Sequence, residues 1–178
     1  MDNNNRRYHL TSKKNRDLQM KFLKIFLLTV FLMSLFSCGS DDDICLSGEA
    51  TPRLKLKFKT QSSGKLKTLD SLFINVDYGN GKIPVIVGST KVDSVLIPLR
   101  VDDNPFTKIY VGISKNAVTS EIKINYTTQS QYVSPACGIK KIYENADATL
   151  EVPNPVLGIE KNQTQITDEA KTHFYLLF

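Results

Sequence analysis

Histidine is scarce in this sequence: the chain has two, and only His173 lies beyond residue 37. A single histidine in a strand-like stretch, with no serine or cysteine joined to it by any motif, leaves no nucleophile and base to pair. No P-loop, no GxGxxG, no internal repeat and no low-complexity tract occurs, so nothing points to nucleotide binding or to a repeat architecture. Cysteine is limited to Cys38, Cys45 and Cys137, and a zinc site would need further soft ligands that the sequence does not offer. No cofactor, no metal site and no catalytic residue is expected.

An excess of charge of one sign is also missing where it would matter. The chain holds 23 Lys and Arg against 18 Asp and Glu, a balance that would normally suggest nucleic acid as a partner. Residues 1–37 contain seven of the bases (Arg6, Arg7, Lys13, Lys14, Arg16, Lys21, Lys24) and two of the acids (Asp2, Asp17), which leaves 23 − 7 = 16 against 18 − 2 = 16. The remainder is formally neutral, with both signs interspersed, so it has no electrostatic footprint for a phosphate backbone. Nucleic acid is not an expected partner.

What is present at the start is a targeting signal. From Met20 the chain reads two lysines, an apolar run from Ile25 to Phe36, and the small Ser37 before Cys38, the order of a secretory signal. Twelve helical residues span about 18 Å, well short of a hydrocarbon core of roughly 30 Å. Leu35-Phe36-Ser37-Cys38 resembles a lipobox, in which the cysteine thiol takes a lipid before cleavage. Residues 20–37 are therefore read as a lipoprotein signal peptide, and Cys38 as the lipidated first residue of the mature chain. Residues 1–19 have no place in such a signal and read as an over-extended start, with Met20 the natural initiator and a longer leader from Met1 the alternative. Residues 38–47 read as a lipidated tether. Within it Ser40, Asp41, Asp42 and Asp43 resemble an acidic export tag, or else form a solvated spacer; three adjacent aspartates do not alternate as calcium ligands do.

With Cys38 assigned to lipid, Cys45 and Cys137 remain. A structural disulfide is the expected pairing in an oxidising compartment, closing 137 − 45 = 92 residues and contributing roughly 4 to 5 kcal/mol in the chain-entropy model.

Residues 48–178 read as one β-sandwich domain. Leu54, Leu56 and Phe58 alternate with Lys55, Lys57 and Lys59, the pattern of a half-buried strand. Thr68–Tyr78 leads into Asn80-Gly81, a tight-turn signal, with Ile83–Val87 as the return strand and Pro84 at its start or on an edge. Val92–Leu99 follows, then Lys108–Ile113 and Glu121–Tyr126 as a hairpin. Residues 139–146 fit a short helix as well as an irregular strand, because Ile139, Ile142, Tyr143 and Ala146 have mixed spacing. Thr149–Val152 and His173–Phe178 close the count, with Pro153 and Pro155 bounding a polar linker. The fold class is all-β, an antiparallel β-sandwich of about seven to nine short strands with little helix. A barrel is the other architecture compatible with this spacing; lysine on the exposed strand faces speaks against a membrane barrel.

Cys45-x-x-Gly48-x-x-Thr51-Pro52-x-Leu54, Asp93-Ser94-Val95-x-Ile97-Pro98-Leu99, Ile122-x-Ile124-Asn125-Tyr126 and Tyr132-Val133-Ser134-x-Ala136-Cys137-Gly138-x-Lys140 together resemble an uncharacterised lipoprotein family of the Bacteroidetes, a domain of unknown function. The resemblance covers residues 45–178. Members of that family run Cys-x-x-Gly-x-Thr-Pro, one residue shorter between Gly48 and Thr51. The resemblance implies no activity, and it implies an outer-membrane β-barrel protein as a partner.

The expected function is a non-catalytic binding or scaffolding domain, held to the outer membrane by lipid and facing the periplasm or the cell surface. An accessory subunit of an outer-membrane barrel assembly is the alternative. A carboxylate-based glycan hydrolase, which needs two acids and no histidine, ranks below both; Asp70, Asp77, Asp93, Glu121 and Glu144 are the acids to examine. Asp70-Ser71-Leu72 and Asp93-Ser94-Val95 also resemble O-glycosylation tripeptides of this bacterial group.

Overall fold

The computed structural model describes residues 23, 24, 26–28 and 50–178. The expectations for the start, the signal cleavage site, Cys38, the acidic stretch and Cys45 lie outside the described residues. The chain divides into two compact units, Met1–Asp42 and Asp43–Phe178. In the first, Leu23, Lys24, Phe26, Leu27 and Leu28 are helical and exposed. Among the described residues no helix is long and apolar enough to cross a membrane.

The second unit is built from strands. In chain order they are β1 (Leu54–Lys59), β2 (Leu72–Asp77), β3 (Lys82–Ser89), β4 (Ser94–Ile97), β5 (Phe106–Gly112), β6 (Ser120–Ser134), β7 (Gly138–Val152), β8 (Gly158–Lys161) and β9 (Phe174–Leu177). A four-stranded sheet runs β4-β1-β9-β8 and a five-stranded sheet runs β3-β2-β5-β6-β7. Their inward residues form one core: Leu54, Leu56 and Phe58 from β1, Phe174 and Leu176 from β9, Ile74 and Val76 from β2, Ile109 and Val111 from β5, Ile122 and Ile124 from β6. Each such aliphatic or aromatic side chain, fully removed from water, contributes about 1.5 to 3 kcal/mol. The all-β sandwich expected from the alternating pattern is the fold observed.

Local chemistry explains the turns. Asp77 at the end of β2 accepts hydrogen bonds through Oδ1 from the N–H groups of Gly79 and Gly81, at 2.7 and 3.2 Å. Gly79 also has φ +101 and sits so close to the Arg100 guanidinium that a Cβ would meet it at 2.9 Å. Pro84 falls in β3, which is an edge strand, where a missing N–H costs no ladder bond.

Four features depart from the expected pattern or decide between its alternatives. β1 and β9 pair in parallel, Leu56 opposite Phe174 and Phe58 opposite Leu176, so the sandwich is not wholly antiparallel. β6 and β7 are 15 residues each, far from short, and Thr149–Val152 is the end of β7 rather than a separate strand. Residues 139–146 belong to β7. The linker after Pro155 contains β8, whose four residues Gly-Ile-Glu-Lys carry a single apolar side chain.

The long β6–β7 hairpin has two zones. Up to Asn125, β6 is flanked by β5, whose first residue Phe106 lies opposite Asn125. Beyond that point β6 and β7 continue as a two-stranded ribbon through Tyr132 opposite Ile139 to Ser134 opposite Gly138. The base of the ribbon is covered: Tyr143 is fully buried, stacks edge-on against Tyr126 with centroids 4.9 Å apart, and exchanges backbone hydrogen bonds with Ile166.

Candidate functional site

A groove of about 580 Å³ opens at the open side of the sandwich, lined by Arg53, Lys55, Ile86, Ser89, Lys91 and Asp93 among others. It lies where the edge strands of the two sheets, β3 and β4, come together. Lys55 directs its own backbone away from β4, since its N–H donates to His173 Nδ1 at 2.8 Å and its carbonyl accepts from His173 N–H at 2.9 Å. Antiparallel pairs alternate, so Leu96, opposite Lys55, turns its backbone N–H and C=O toward the free edge. Around this edge Arg53 forms a double ion pair with Glu169, Lys55 donates to the Ala170 carbonyl, and Lys91 meets Asp70 at 3.3 Å. The groove is thus mixed in charge, apolar at its floor through Ile86, Val92 and Val95, and bounded by an unpaired strand.

The acids singled out from the sequence occupy separate places. Asp70 pairs with Lys91 and Asp77 caps the β2–β3 turn. Asp93, at the head of β4, accepts from the Ser94 hydroxyl, and Glu144 accepts from Gln129 across the ribbon. Of the five, only Asp93 lines the groove. Glu121 has a neighbour that the sequence did not indicate, Glu151: Lys108 Nζ lies 2.6 Å from one carboxylate and 2.8 Å from the other. The two oxygens are therefore at most 5.4 Å apart, a separation compatible with paired-carboxylate chemistry. The ammonium between them works against it, because Lys108 holds the Glu151 carboxyl below its ordinary range, whereas a general acid must be pushed up. The pairing arises from register: Lys108 lies opposite Lys123 and next to Glu121 on the outer face of β5 and β6, with Glu151 from β7 beside them.

His173 is buried, immediately before β9, and burial pushes its pKa down. With Nδ1 accepting a backbone N–H, the imidazole is a neutral structural acceptor. Ser71 and Ser94, the residues of the two glycosylation-like tripeptides, are both half-buried; Ser71 donates to the Ile113 carbonyl and Ser94 to Asp93. Among the described residues no group of three His, Cys, Asp or Glu side chains is placed to hold a metal ion.

At the hairpin end, Cys137 lies in the three-residue turn between β6 and β7, its N–H donating to Ser134 Oγ at 3.1 Å. The chain reaches this end early: the Lys141 N–H of β7 donates to Thr51 Oγ1 at 2.9 Å. Lys141 Nζ also bridges to Asp103 and Ser130, tying the loop before β5 to the ribbon.

The family of unknown function DUF6452 matches residues 68–178, more than half of the chain. The chain belongs to DUF6452. No curated protein and no solved structure matches it. The DUF6452 match begins just ahead of β2 and takes in β2 to β9, including the hairpin, Cys137 and the parallel strand β9. β1, with its lysine row, and the Cys45-to-Pro52 segment precede the matched residues.

Proposed function

We propose that this DUF6452 chain is a lipoprotein of the Bacteroidetes type, anchored at the outer membrane through Cys38, whose β-sandwich binds or scaffolds a partner without catalysis. The observation that carries the non-catalytic part is the state of the candidate acids. Asp70 and Glu121 are in ion pairs, Asp77 in a turn, Glu144 in a cross-strand hydrogen bond and Asp93 in a hydrogen bond from its neighbour Ser94, and Glu121 and Glu151, which lie close together, are bridged by Lys108. A groove with an unpaired strand edge on one side suits an extended segment of another protein better than a small reacting molecule. The address rests on the signal-like run ahead of Leu35-Phe36-Ser37-Cys38. A Cys45–Cys137 disulfide belongs to the same reading. It is supported by Thr51, six residues after Cys45, lying against the ribbon that ends in Cys137.

A second reading, an accessory subunit docked on an outer-membrane β-barrel protein, is favoured by β3. This edge strand leaves Ile83 and Val87 exposed, as an intermolecular contact would use them.

Metabolic labelling with a fatty acid, comparing the native chain with Cys38→Ser, tests the anchor. Label on the native chain alone is the expected result, and an unlabelled native chain would sink the proposal. Protease treatment of intact cells then assigns the face, since digestion indicates surface exposure. Affinity isolation from solubilised membranes tests the second reading, which fails if the chain is recovered alone at every detergent level.

A further inference from the structure

We infer that the tip of the β6–β7 hairpin is a membrane-contacting element, with the cross-strand pair Tyr132 and Ile139 seated in the lipid interface. The inference rests on the lipid-anchor reading above and adds which surface faces the bilayer.

Tyr132 and Ile139 lie opposite each other in the ribbon and are 65% and 66% exposed. They stand beyond Phe106, the first residue of β5, which lies opposite Asn125, so among the described residues no third strand covers them. A two-stranded ribbon is marginal in water by itself, and exposing an aromatic and a branched aliphatic residue at its end gains nothing for the fold. Tyrosine is the residue type that suits the boundary between headgroups and acyl chains, because its ring is apolar and its hydroxyl stays wet.

The route of the chain says what lies at this end. Thr51 is held against β7 by the Lys141 N–H, and it follows the proposed lipidated Cys38 by 13 residues (51 − 38). An extended chain of that length reaches at most about 45 Å, so the tether keeps the hairpin end within reach of the lipid surface. The same end carries Val101, 56% exposed, in the loop that Asp103 fastens to Lys141. The opposite end of β6 has its own exposed apolar residue, Val118, 65% exposed. It lies 132 − 118 = 14 residues before Tyr132, about 45 Å away along an extended strand at 3.3 Å per residue. A weak interfacial contact becomes effective when an anchor fixes its local concentration, so the tip need not bind lipid strongly alone.

The sequence has no tryptophan, so a single introduced one reports without interference. Lipidated full-length chain carrying Tyr132→Trp is reconstituted into protein-free vesicles of phosphatidylethanolamine and phosphatidylglycerol, with and without lipids brominated near the top of the acyl chains. The same is done with Val118→Trp, and with Ile139→Trp as a second reporter should the first variant fold poorly. Expected is a blue-shifted emission for the tip reporters, with quenching by brominated lipid several-fold greater than for Val118→Trp. Equal, negligible quenching at tip and control in chain that remains vesicle-bound would overturn the inference and leave the anchor reading intact, and would point to a protein partner for the tip. Chain that does not associate with vesicles at all would overturn the anchor reading, and this inference with it.

Discussion

The hydroxyls of Thr107 and Tyr126 share a hydrogen bond of 2.6 Å inside the sandwich, and the Thr107 oxygen also accepts the Arg100 N–H at 3.1 Å. The Tyr126 ring meets Tyr143 edge-on, and the Tyr143 hydroxyl reaches the Arg100 carbonyl. Burial pushes both phenols up, so they remain protonated donors at neutral pH. Tyr126→Phe keeps the ring packing but leaves the buried Thr107 hydroxyl short of one partner. A loss of about 1 to 3 kcal/mol is expected, measured by urea unfolding at unchanged m-value; Tyr126→Phe with Thr107→Val should recover part of it.

His173 gives the domain a pH dependence of known sign. Its folded pKa lies below the unfolded value of about 6.5 because burial disfavours the charged ring. The unfolded chain therefore binds the proton more readily, and stability rises with pH. The contribution is complete above about pH 6.5 and is lost as the pH falls below it. Unfolding free energy measured between pH 7.5 and 5 should decline, and His173→Gln should flatten that decline; an unchanged slope in the variant would remove His173 from the account.

Lys108 should matter more for the charge state of Glu151 than for folding. The ion pairs it makes with Glu121 and Glu151 are partly solvated, so they add little to stability. In Lys108→Met the two carboxylates face each other without a cation, so the Glu151 titration should move up from its lowered position. Carboxyl-carbon NMR reads this directly. Because the Glu151 pKa is depressed in the folded state, the stability lost in the variant should be present at pH 7 and vanish as the native carboxylate is protonated below about pH 4.5.

Reduction tests the proposed Cys45–Cys137 bond. Closing 137 − 45 = 92 residues predicts a loss of roughly 4 to 5 kcal/mol on reduction, with a mobility shift on non-reducing gels that Cys137→Ala abolishes. A midpoint indifferent to reductant would contradict the pairing.

The sequence was most legible where alternation was uninterrupted. β1 followed directly from Leu54, Leu56 and Phe58 against three lysines, and Asn80-Gly81 located the β2–β3 turn. The uncertainty over residues 139–146 has a structural cause. Asn145 adopts φ +54, and the register slips there: Thr127 faces Glu144 while Asn125 faces Asp147. This bulge re-aims the side chains, so the buried Tyr143 and Ala146 lie three positions apart and imitate a helical period. β8 was illegible because four residues with one apolar side chain carry no period. The Lys108 bridge could not be read either, since Glu121 and Glu151 meet only through cross-strand register, and the groove depends on which strands end up at sheet edges.

The parallel pairing of β1 with β9 fixes when this domain can be completed. β9 fills the place between β1 and β8, so the four-stranded sheet remains split until residue 177 is free to insert. Leu56 must wait for Phe174, 118 positions later in the chain, and contacts between such distant positions make folding slow. Until then β1 presents one naked edge and the core lacks Phe174 and Leu176. A chain emerging from its amino end would therefore hold an open four-stranded sheet until β9 arrives.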